Sequence, residues 1–427
     1  MATEPPVSRP TTSTAPADPE PAAPADTGHR RARRSALIGA IFLMATSAIG
    51  PGFITQTTTF TVSLGAAFAF GILASVLVDF VVQMNVWRIV TVTGLRAHEI
   101  AAAVVPGAGY LLAVLVIAGG LVFNIGNVAG TGLGLNAALG LDPKLGGLLS
   151  ALLAVGLFVV ERAGAAMDRA LIVLGLLMIG LTLYVAIASG PPVGDALRQT
   201  VWPDTVDWAA ITTIVGGTVG GYITYSGAHR LLDSGTTGPE HVREVTRGAL
   251  SGIAVTGLMR FLLFLAVLGV VAGGVALDTA GNATADAFAS AAGEFGKRAF
   301  GLVLWAAAIS SVVGAAYTSV SFFDAFSTRL TAPRPRAWAT VVFIVVSTVI
   351  YLLIGTAPAA LLVFAGGFNG LILPIGFTIL LYAAWRRRDL LNGYRYPAWL
   401  LALGGLVTVL TWYMGIVSAR SIFEYLA

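Results

Sequence analysis

Apolar runs long enough to cross a lipid bilayer recur along this chain, and they constrain its fold more than any other feature. A helix needs roughly 20 apolar residues to span a hydrocarbon core of about 30 Å. Of the 427 residues, 56% are hydrophobic and 11% are charged, whereas a soluble domain carries roughly 25% charged residues. We therefore predict an all-α integral membrane protein with about eleven transmembrane helices. The predicted spans are 35–60, 65–87, 108–135, 145–160, 170–189, 209–231, 248–274, 299–326, 337–355, 358–384 and 397–418.

The N-terminal segment differs in composition from the rest of the chain. Residues 1–34 are rich in Pro, Ala, Thr and Asp and end in a cluster of arginines. Such a segment has too few apolar residues to offset the entropy of ordering, so we predict a disordered cytoplasmic arm followed by a transmembrane domain over 35–427. A signal peptide is the alternative for residues 35–49, because a basic stretch precedes them. Apolar character resumes after Gly52, which favours a retained first helix.

The placement of the basic residues predicts the orientation of the helices. Cytoplasmic loops of membrane proteins carry an excess of Lys and Arg. If the N-terminal arm is cytoplasmic and eleven helices follow, 18 basic residues lie near the membrane on the cytoplasmic side and five lie on the opposite side. We therefore predict a multi-pass protein of the plasma membrane with its N-terminus in the cytoplasm and its C-terminus outside.

Two predicted helices contain residues that let a helix unwind. The first helix contains Gly50-Pro51-Gly52, and the sixth contains four glycines within residues 216–221. Unwound backbone at membrane depth persists only where it lines a cavity or is buried in protein. Interruptions five helices apart predict two inverted five-helix repeats with the substrate held between the breaks. Ordinary glycine-mediated packing of helices is the alternative for either break.

Polar side chains gather near these breaks, where lipid cannot satisfy their hydrogen bonds. We predict substrate-binding residues near both breaks and at one amide of the tenth helix. They are Gln56, Thr57, Thr58, Gly220, Gly221, Tyr222, Thr224 and Asn369. A lone threonine more often bonds to the backbone of its own helix. Another polar stripe, Asn124, Asn127 and Thr131 in the third helix, fits contacts between helices as well as it fits a pathway.

Two charged residues lie inside otherwise apolar runs, Asp79 in the second helix and Arg260 in the seventh. Each costs at least a few kcal/mol at the bilayer centre unless it is paired or hydrated. We therefore predict that both act in transport or ion coupling. A structural pair with Arg260 or another donor is the alternative for Asp79, and an extension toward the membrane surface is the alternative for Arg260. All four histidines lie in or beside predicted loops, which argues against a histidine proton relay.

Several functional classes lack the residues that they need. The chain has no cysteine, which excludes disulfides, thiol nucleophiles and thiolate metal sites. Away from their ends, the predicted spans contain no Ser and His pair, no cluster of His, Asp and Glu, and no phosphate-binding glycine loop. We therefore expect no enzyme activity, no cofactor, no ATP-driven pumping and no nucleic-acid partner.

Short motifs distributed along the chain are those of one family of membrane proteins. They are Gly-Pro-Gly-Phe at 50–53, Gly-Ala-Ala-Phe at 65–68, Gly-Thr-Val at 217–219 with Tyr225, Ser310-Ser311, and Phe-Asn-Gly-Leu-Ile-Leu-Pro at 368–374. With these motifs the chain resembles the NRAMP superfamily over nearly all of residues 35–418. The resemblance implies a LeuT-like fold of eleven or twelve helices with broken helices 1 and 6. It also implies a transporter, usually of divalent metal ions coupled to protons.

The segments that bind the metal in that family are changed in this chain. The family's first helix carries Asp-Pro-Gly-Asn, but no acidic residue lies between Phe53 and Gly65. Its sixth helix carries Met-Pro-His, which aligns here with Gly220-Gly221-Tyr222. Without thioether or imidazole ligands, no side chain in these segments would favour soft transition metals over other divalent ions. A divalent ion would have to keep its water shell, as Mg²⁺ tends to do.

The resemblance thus implies a secondary active transporter for a divalent metal cation, bound as a hydrated Mg-like or Mn-like ion. An ion-coupled carrier of a small polar or organic solute is the alternative within transport. A solute with a carboxylate would suit helix N-termini, with Arg260 as its partner. A membrane sensor that has kept the fold without transport is a third alternative. The expected partners are the lipid bilayer and a metal ion or small solute, and the oligomeric state stays open.

Overall fold

The computed structural model describes residues 50–159 and 164–424 of the chain. The predicted arm over 1–34 and the first half of the predicted first helix, residues 35–49, lie outside these residues. Within the described ranges the secondary structure is entirely helical. The α-helices are α1 (Pro51–Leu64), α2 (Phe68–Thr93), α3 (Ala97–Val104), α4 (Ala108–Leu139), α5 (Pro143–Val159), α6 (Gly164–Ala188), α7 (Val193–Val201), α8 (Trp208–Thr218), α9 (Ile223–Asp233), α10 (Val242–Ala272), α11 (Ala283–Val320), α12 (Pro333–Leu353), α13 (Pro358–Arg386) and α14 (Ala398–Glu424).

The helix boundaries follow from proline and glycine at the ends. Pro51, Pro333 and Pro358 each open a helix, where the missing N–H of proline removes no hydrogen bond. Gly94 and Gly140 follow the last residues of α2 and α4 with φ of 67° and 74°. This left-handed conformation ends a helix and favours glycine, which has no Cβ to clash.

The all-α architecture is confirmed, but a count of eleven spans is not. In the described residues, seven helical stretches are long and apolar enough to cross a membrane, and an eighth is obtained if α6 and α7, bent by 107° against each other, form one span. The halves α8 and α9 have 11 residues each, about 16 Å at 1.5 Å per residue, which is too short to cross alone. The count takes α1 and α2 as one stretch, although the 3₁₀ turn Gly65–Ala67 separates them and Gly65, at φ 57°, is not in helical conformation.

The predicted eighth span begins later than the helix that contains it. The helix α11 begins at Ala283, whereas the apolar run begins at residue 299. Gly293, at φ 65°, interrupts the helical conformation within α11. The polar first part of α11 therefore continues into the apolar part across a kink, and hydropathy alone detects the second part.

The helix α4 lies at the centre of the bundle, against α11, α13 and α5. Large apolar side chains on outer helices are exposed, as are Leu406 and Val409 on α14, at 65% and 70%. Side chains of this kind suit contact with lipid and would be unfavourable in water. The exposed surface of the bundle therefore agrees with its apolar composition.

Glycine lets the broken helix approach α13 at the level of the backbone. A methyl group on Gly216 of α8 would collide with the Gly366 carbonyl oxygen and the Gly370 nitrogen of α13. Since backbone atoms of two packed helices cannot move aside independently, the helices would have to separate. Gly216 therefore acts in packing, and it lies within helical conformation although the sequence placed it in the break.

We predict that Gly216→Ala lowers the thermal stability of the purified protein. Overpacking of this kind costs about 1–3 kcal/mol, which outweighs the higher helix propensity of alanine. The midpoint of thermal unfolding in detergent measures the effect. Gly405→Ala on α14, where a methyl group would meet no atom within 4 Å, is the matched control and should leave the midpoint unchanged or raise it. Equal midpoints for both variants would contradict the packing role of Gly216.

Candidate functional site

The sixth predicted helix is broken near its middle. The first half, α8, ends at Thr218 and the second half, α9, begins at Ile223, so residues 219–222 are not helical. The predicted break covered residues 216–221, and the observed one is shifted toward the C-terminus. The Gly221 N–H donates to the Asn369 carbonyl oxygen at 2.9 Å, and the Tyr222 N–H donates to Asn369 Oδ1 at 3.2 Å. Backbone groups freed by the break are thus bonded to α13.

The side chain of Asn369 is fully engaged in holding this break. Its Nδ2 group donates to the Gly119 carbonyl oxygen at 3.0 Å and to the Ala365 carbonyl oxygen at 2.9 Å. A methyl group on Gly119 of α4 would collide with the Asn369 amide, so glycine there makes room for it. Because the amide protons are both donated and Oδ1 accepts from Tyr222, Asn369 serves to position the break.

The glycines of the break permit close packing, and the tyrosine of the break packs against α4. A methyl group on Gly221 would collide with Ile372, and one on Gly220 would collide with the Gly216 backbone. The Tyr222 ring lies 5.2 Å from the Phe123 ring, measured between centroids, and is buried. The predicted residues Gly220, Gly221 and Tyr222 therefore form the broken segment itself.

Gln56 of α1 reaches the broken helix from the other side. Its side chain is completely buried, and its Nε2 group donates to the Leu362 carbonyl oxygen of α13 at 3.0 Å. Methyl groups on Gly217 or Gly366 would collide with the amide, so both glycines leave space for it. Within the described residues Gln56 Oε1 has no hydrogen-bond partner. A buried acceptor of this kind is costly unless it binds something.

The predicted threonines have different surroundings. The Thr57 hydroxyl donates to the Phe53 carbonyl oxygen of its own helix at 2.7 Å, which is the local role that threonine often takes. The Thr58 and Thr284 hydroxyls lie 2.7 Å apart and connect α1 to the start of α11. Thr224 is buried at the start of α9, and its hydroxyl has no partner within the described part of the chain. These three hydroxyls therefore form no hydrogen bond with one another.

Asp79 is bonded to the end of α8. The Thr218 hydroxyl donates to Asp79 Oδ2 at 2.7 Å, while Oδ1 has no hydrogen-bond partner among the described residues. Asp79 is 3% exposed. Since Thr218 is the last residue of α8, the carboxyl group lies at the edge of the break.

Arg260 is buried next to the start of α1. Its side chain is 1% exposed, and its Cζ lies 4.4 Å from the centroid of the Phe53 ring. Neither Nη1 nor Nη2 has a hydrogen-bond partner in the part of the chain that the structure describes. Asp79 acts on this guanidinium electrostatically, yet the two side chains form no ion pair within 4.0 Å. Arg260 is therefore buried within the bundle, and Asp79 is paired with the Thr218 hydroxyl instead of with Arg260.

The sequence identified Asp79 and Arg260 as candidates but did not connect them to the breaks. Phe53 and Thr218 make that connection, and neither was a predicted binding residue. Gly50, in extended conformation, precedes α1, and Phe53 lies in the first turn of α1. The two charged groups thus lie between the start of α1 and the end of α8. Both residues belong to sequence motifs, Phe53 to Gly-Pro-Gly-Phe and Thr218 to Gly-Thr-Val, but neither motif indicates a contact with a charged side chain.

A second cluster of charged and aromatic side chains joins the other end of α9 to its neighbours. Arg96 forms ion pairs with Asp324 at 2.9 Å and with Asp233 at 3.1 Å. The Ala97 N–H donates to His229 Nε2 at 3.2 Å. Burial lowers the pKa of His98, and its neighbour Asp324, 3.5 Å away, acts in the opposite direction. These contacts hold the connection between α2 and α4 against α9.

Comparisons with known proteins agree with this fold. The family model described as natural resistance-associated macrophage protein-like (Nramp) matches residues 41–419. The uncharacterized membrane protein YcsG of Bacillus subtilis is 50% identical over 389 residues, which cover 91% of this chain and 95% of that protein. An uncharacterized membrane protein of Haemophilus influenzae is 49% identical over 395 residues, 92% of this chain and 98% of that protein.

Two solved structures share the fold at low sequence identity. A manganese transporter of Eremococcus coleocola has a TM-score of 0.70 and 17% identity, with 91% of this chain and 86% of that chain covered. The structure of MhsT in complex with L-phenylalanine has a TM-score of 0.63 and 17% identity, with 91% and 98% covered. At these identities the likeness concerns the fold alone.

We predict that Asn369→Ala loosens the break between α8 and α9. The Tyr222 N–H would lose its acceptor, and an unsatisfied buried donor costs about 1–3 kcal/mol. Hydrogen exchange of the backbone amides at 219–223 should become faster, as mass spectrometry of the purified protein would measure. Asn136→Ala is the control, because Asn136 makes one side-chain bond, 2.8 Å to the Leu141 carbonyl oxygen at the end of α4. If exchange at 219–223 were unchanged, Asn369 would not hold the break.

Proposed function

This chain belongs to the Nramp family of membrane transporters, and from that membership we propose that it is a secondary active transporter whose cargo binds between α1 and the α8–α9 break. Members of this family are transporters and not enzymes. The proposed binding region contains Gln56, Gly220, Gly221 and Tyr222, with Asp79 and Arg260 beside it. A gradient of a coupling ion would drive the transport.

One observation carries this proposal. Buried polar groups without hydrogen-bond partners among the described residues lie where α1 approaches the broken helix α8–α9: Gln56 Oε1, Asp79 Oδ1 and the Nη groups of Arg260. In a bundle solvated by lipid, each such group is expensive. Groups of this kind at a helix break are typical of the cargo and ion sites of transporters.

A divalent metal cation is the first candidate cargo, since one protein of the same fold is a manganese transporter. Within the described residues no group of three or more His, Cys, Asp or Glu side chains could hold a metal ion. A metal cargo would therefore have to be bound as a hydrated ion, through oxygen ligands such as Gln56 Oε1 and backbone carbonyl groups. Among the common divalent ions, Mg²⁺ loses its water shell most reluctantly.

A small organic anion is the second candidate cargo, and Arg260 is the observation that favours it. A dication within roughly 10 Å of this buried guanidinium would be repelled by about 3 kcal/mol at an effective dielectric constant of 20. An anion would be attracted by the same charge. The fold accommodates organic cargo, because the related structure of MhsT holds L-phenylalanine.

We predict that uptake into proteoliposomes will distinguish the two candidates. Vesicles containing the purified protein, a metal-sensitive dye and a pH-sensitive dye would be exposed to Mn²⁺, Mg²⁺ and Ca²⁺. For a metal transporter, Gln56→Ala should lower uptake at least tenfold, because it removes the unpartnered amide oxygen. The control Gln199→Ala changes a glutamine of α7, outside the broken helices, and should keep uptake. Absence of dication uptake by folded protein would exclude the metal candidate.

We also propose the orientation with the N-terminus in the cytoplasm and the C-terminus outside, in the plasma membrane. The chain has no cysteine, so single cysteines can report the sidedness of exposed loops. We predict that Thr205→Cys reacts with an impermeant maleimide in intact cells, whereas Arg395→Cys reacts only after permeabilisation. Both residues are exposed in loops. The reverse labelling pattern would show the opposite orientation.

A further inference from the structure

We propose that Arg260 binds the carboxylate of a small anionic cargo and that a proton on Asp79 frees it to do so, which makes the protein a proton–carboxylate symporter. This inference rests on the proposed transport function and specifies its cargo and its coupling ion. The two charged residues would act as one unit, with Thr218 connecting them to α8 and Phe53 connecting them to α1.

The guanidinium of Arg260 has the properties of an anion site. Its Nη1 and Nη2 groups have no hydrogen-bond partner among the described residues, although the side chain is almost completely buried. The planar fork of arginine matches the two oxygens of a carboxylate with two parallel hydrogen bonds. The ring of Phe53 covers one face of the fork, while the N–H groups point outward in the plane of the guanidinium. A carboxylate in that plane would satisfy both Nη groups.

Asp79 is the charged group that opposes Arg260. The two groups, on α2 and α10, act on each other electrostatically. Arg88, farther along α2, donates instead to the Thr246 hydroxyl at 2.9 Å. On α8, the neutral hydroxyl of Thr218 faces Asp79. The charge of the site is therefore decided by this one carboxyl group and by whatever binds to the arginine.

Competition for the single positive charge would couple the proton to the cargo. When Asp79 is ionised, it neutralises Arg260 electrostatically and repels a second anion. At about 6 Å and an effective dielectric constant of 20, this repulsion would weaken anion binding roughly 100-fold. When a proton binds to Asp79, Arg260 is left without a counter-charge, and a carboxylate restores neutrality. One proton and one carboxylate would then cross together, and the proton would leave Asp79 when the cargo dissociates.

The position of Asp79 and Arg260 would transmit binding to α1 and to the broken helix α8–α9. Phe53 lies in the first turn of α1, and Thr218 is the last residue of α8. Ionised Asp79 accepts a charge-assisted hydrogen bond from Thr218, which is stronger than a bond between neutral groups. Protonation of Asp79 would weaken that bond while the cargo engages the guanidinium beside α1. Loading would thus change the contacts of α8 and α1 in the same step.

Binding of small carboxylates to the purified full-length protein tests the proposal. The probes are acetate, L-lactate and succinate, each compared with its fully amidated form, and the readout is the midpoint of thermal unfolding in detergent at pH 5.5 and 8.0. We predict that at least one carboxylate, and not its amide, stabilises the protein, with at least tenfold tighter binding at pH 5.5. Asp79→Asn should bind with little dependence on pH, because its side chain stays neutral.

Substitutions of the arginine separate a binding role from a structural one. Arg260→Gln should lose the stabilisation, and Arg260→Lys, which keeps the charge without the fork, should bind at least tenfold more weakly. Arg198→Gln is the control, since Arg198 is an exposed arginine paired with Asp195 and Asp204. If Arg260→Gln does not fold, Arg260→Lys and Asp79→Asn carry the test. Stabilisation that persists unchanged in the arginine variants, or no pH-dependent effect of any probe, would overturn the proposal.

Uptake measurements distinguish this proposal from the transport function on which it rests. Proteoliposomes would be given the radiolabelled carboxylate that binds, with a pH-sensitive dye inside. Uptake of the label together with internal acidification supports both. Binding without uptake would support the anion site and contradict the transport function. Uptake of a dication by protein that binds no carboxylate would support the transport function and contradict the anion site.

Discussion

The hydrogen bonds of Asn369 allow a helix to be interrupted inside a bundle that lipid must solvate. Lipid offers no partner to a free backbone N–H group, so each one exposed by a break has to be satisfied within the protein. Asn369 accepts from Tyr222 through its side chain and from Gly221 through its backbone, and its amide protons bind carbonyl oxygens of α4 and α13. The candidate site exists because this arrangement keeps α8 and α9 apart at a fixed place.

Around this break, glycines allow the helices to pack closely and also leave room for a polar side chain. Gly216 lets α8 contact the backbone of α13, while Gly217 and Gly366 leave room for the amide of Gln56. The helices therefore approach closely enough to exclude lipid, yet enclose a polar side chain with an unpartnered oxygen. The charged pair Asp79 and Arg260 lies next to this region through Thr218 and Phe53. Close packing excludes water, which makes each remaining polar group more consequential for a cargo.

Much of the fold could be predicted from the sequence. For the site, the sequence predicted several of the residues but not the contacts between them. Apolar runs and helix-ending residues predicted the all-α membrane fold, and short motifs predicted the family. The predicted count of eleven spans is not confirmed, because broken and bent helices such as α8 and α9 are too short to be recognised by length. Asn369 was predicted to bind substrate, but its side-chain hydrogen bonds go to Tyr222 in the break and to carbonyl oxygens of α4 and α13. Thr57 likewise bonds to its own helix.

The sequence by itself determined that this chain is solvated by lipid, that it belongs to a transporter family, and that it carries two charged residues inside apolar runs. These properties depend on composition and on local order along the chain. Only the tertiary structure decided which groups meet. Asp79 and Arg260 lie on different helices, and whether they pair, point to lipid or face a break depends on how α1, α2, α8 and α10 pack. Hydropathy describes the order of residues along the chain and carries no information on which helices become neighbours. It therefore cannot distinguish a position that faces lipid from one that faces the break.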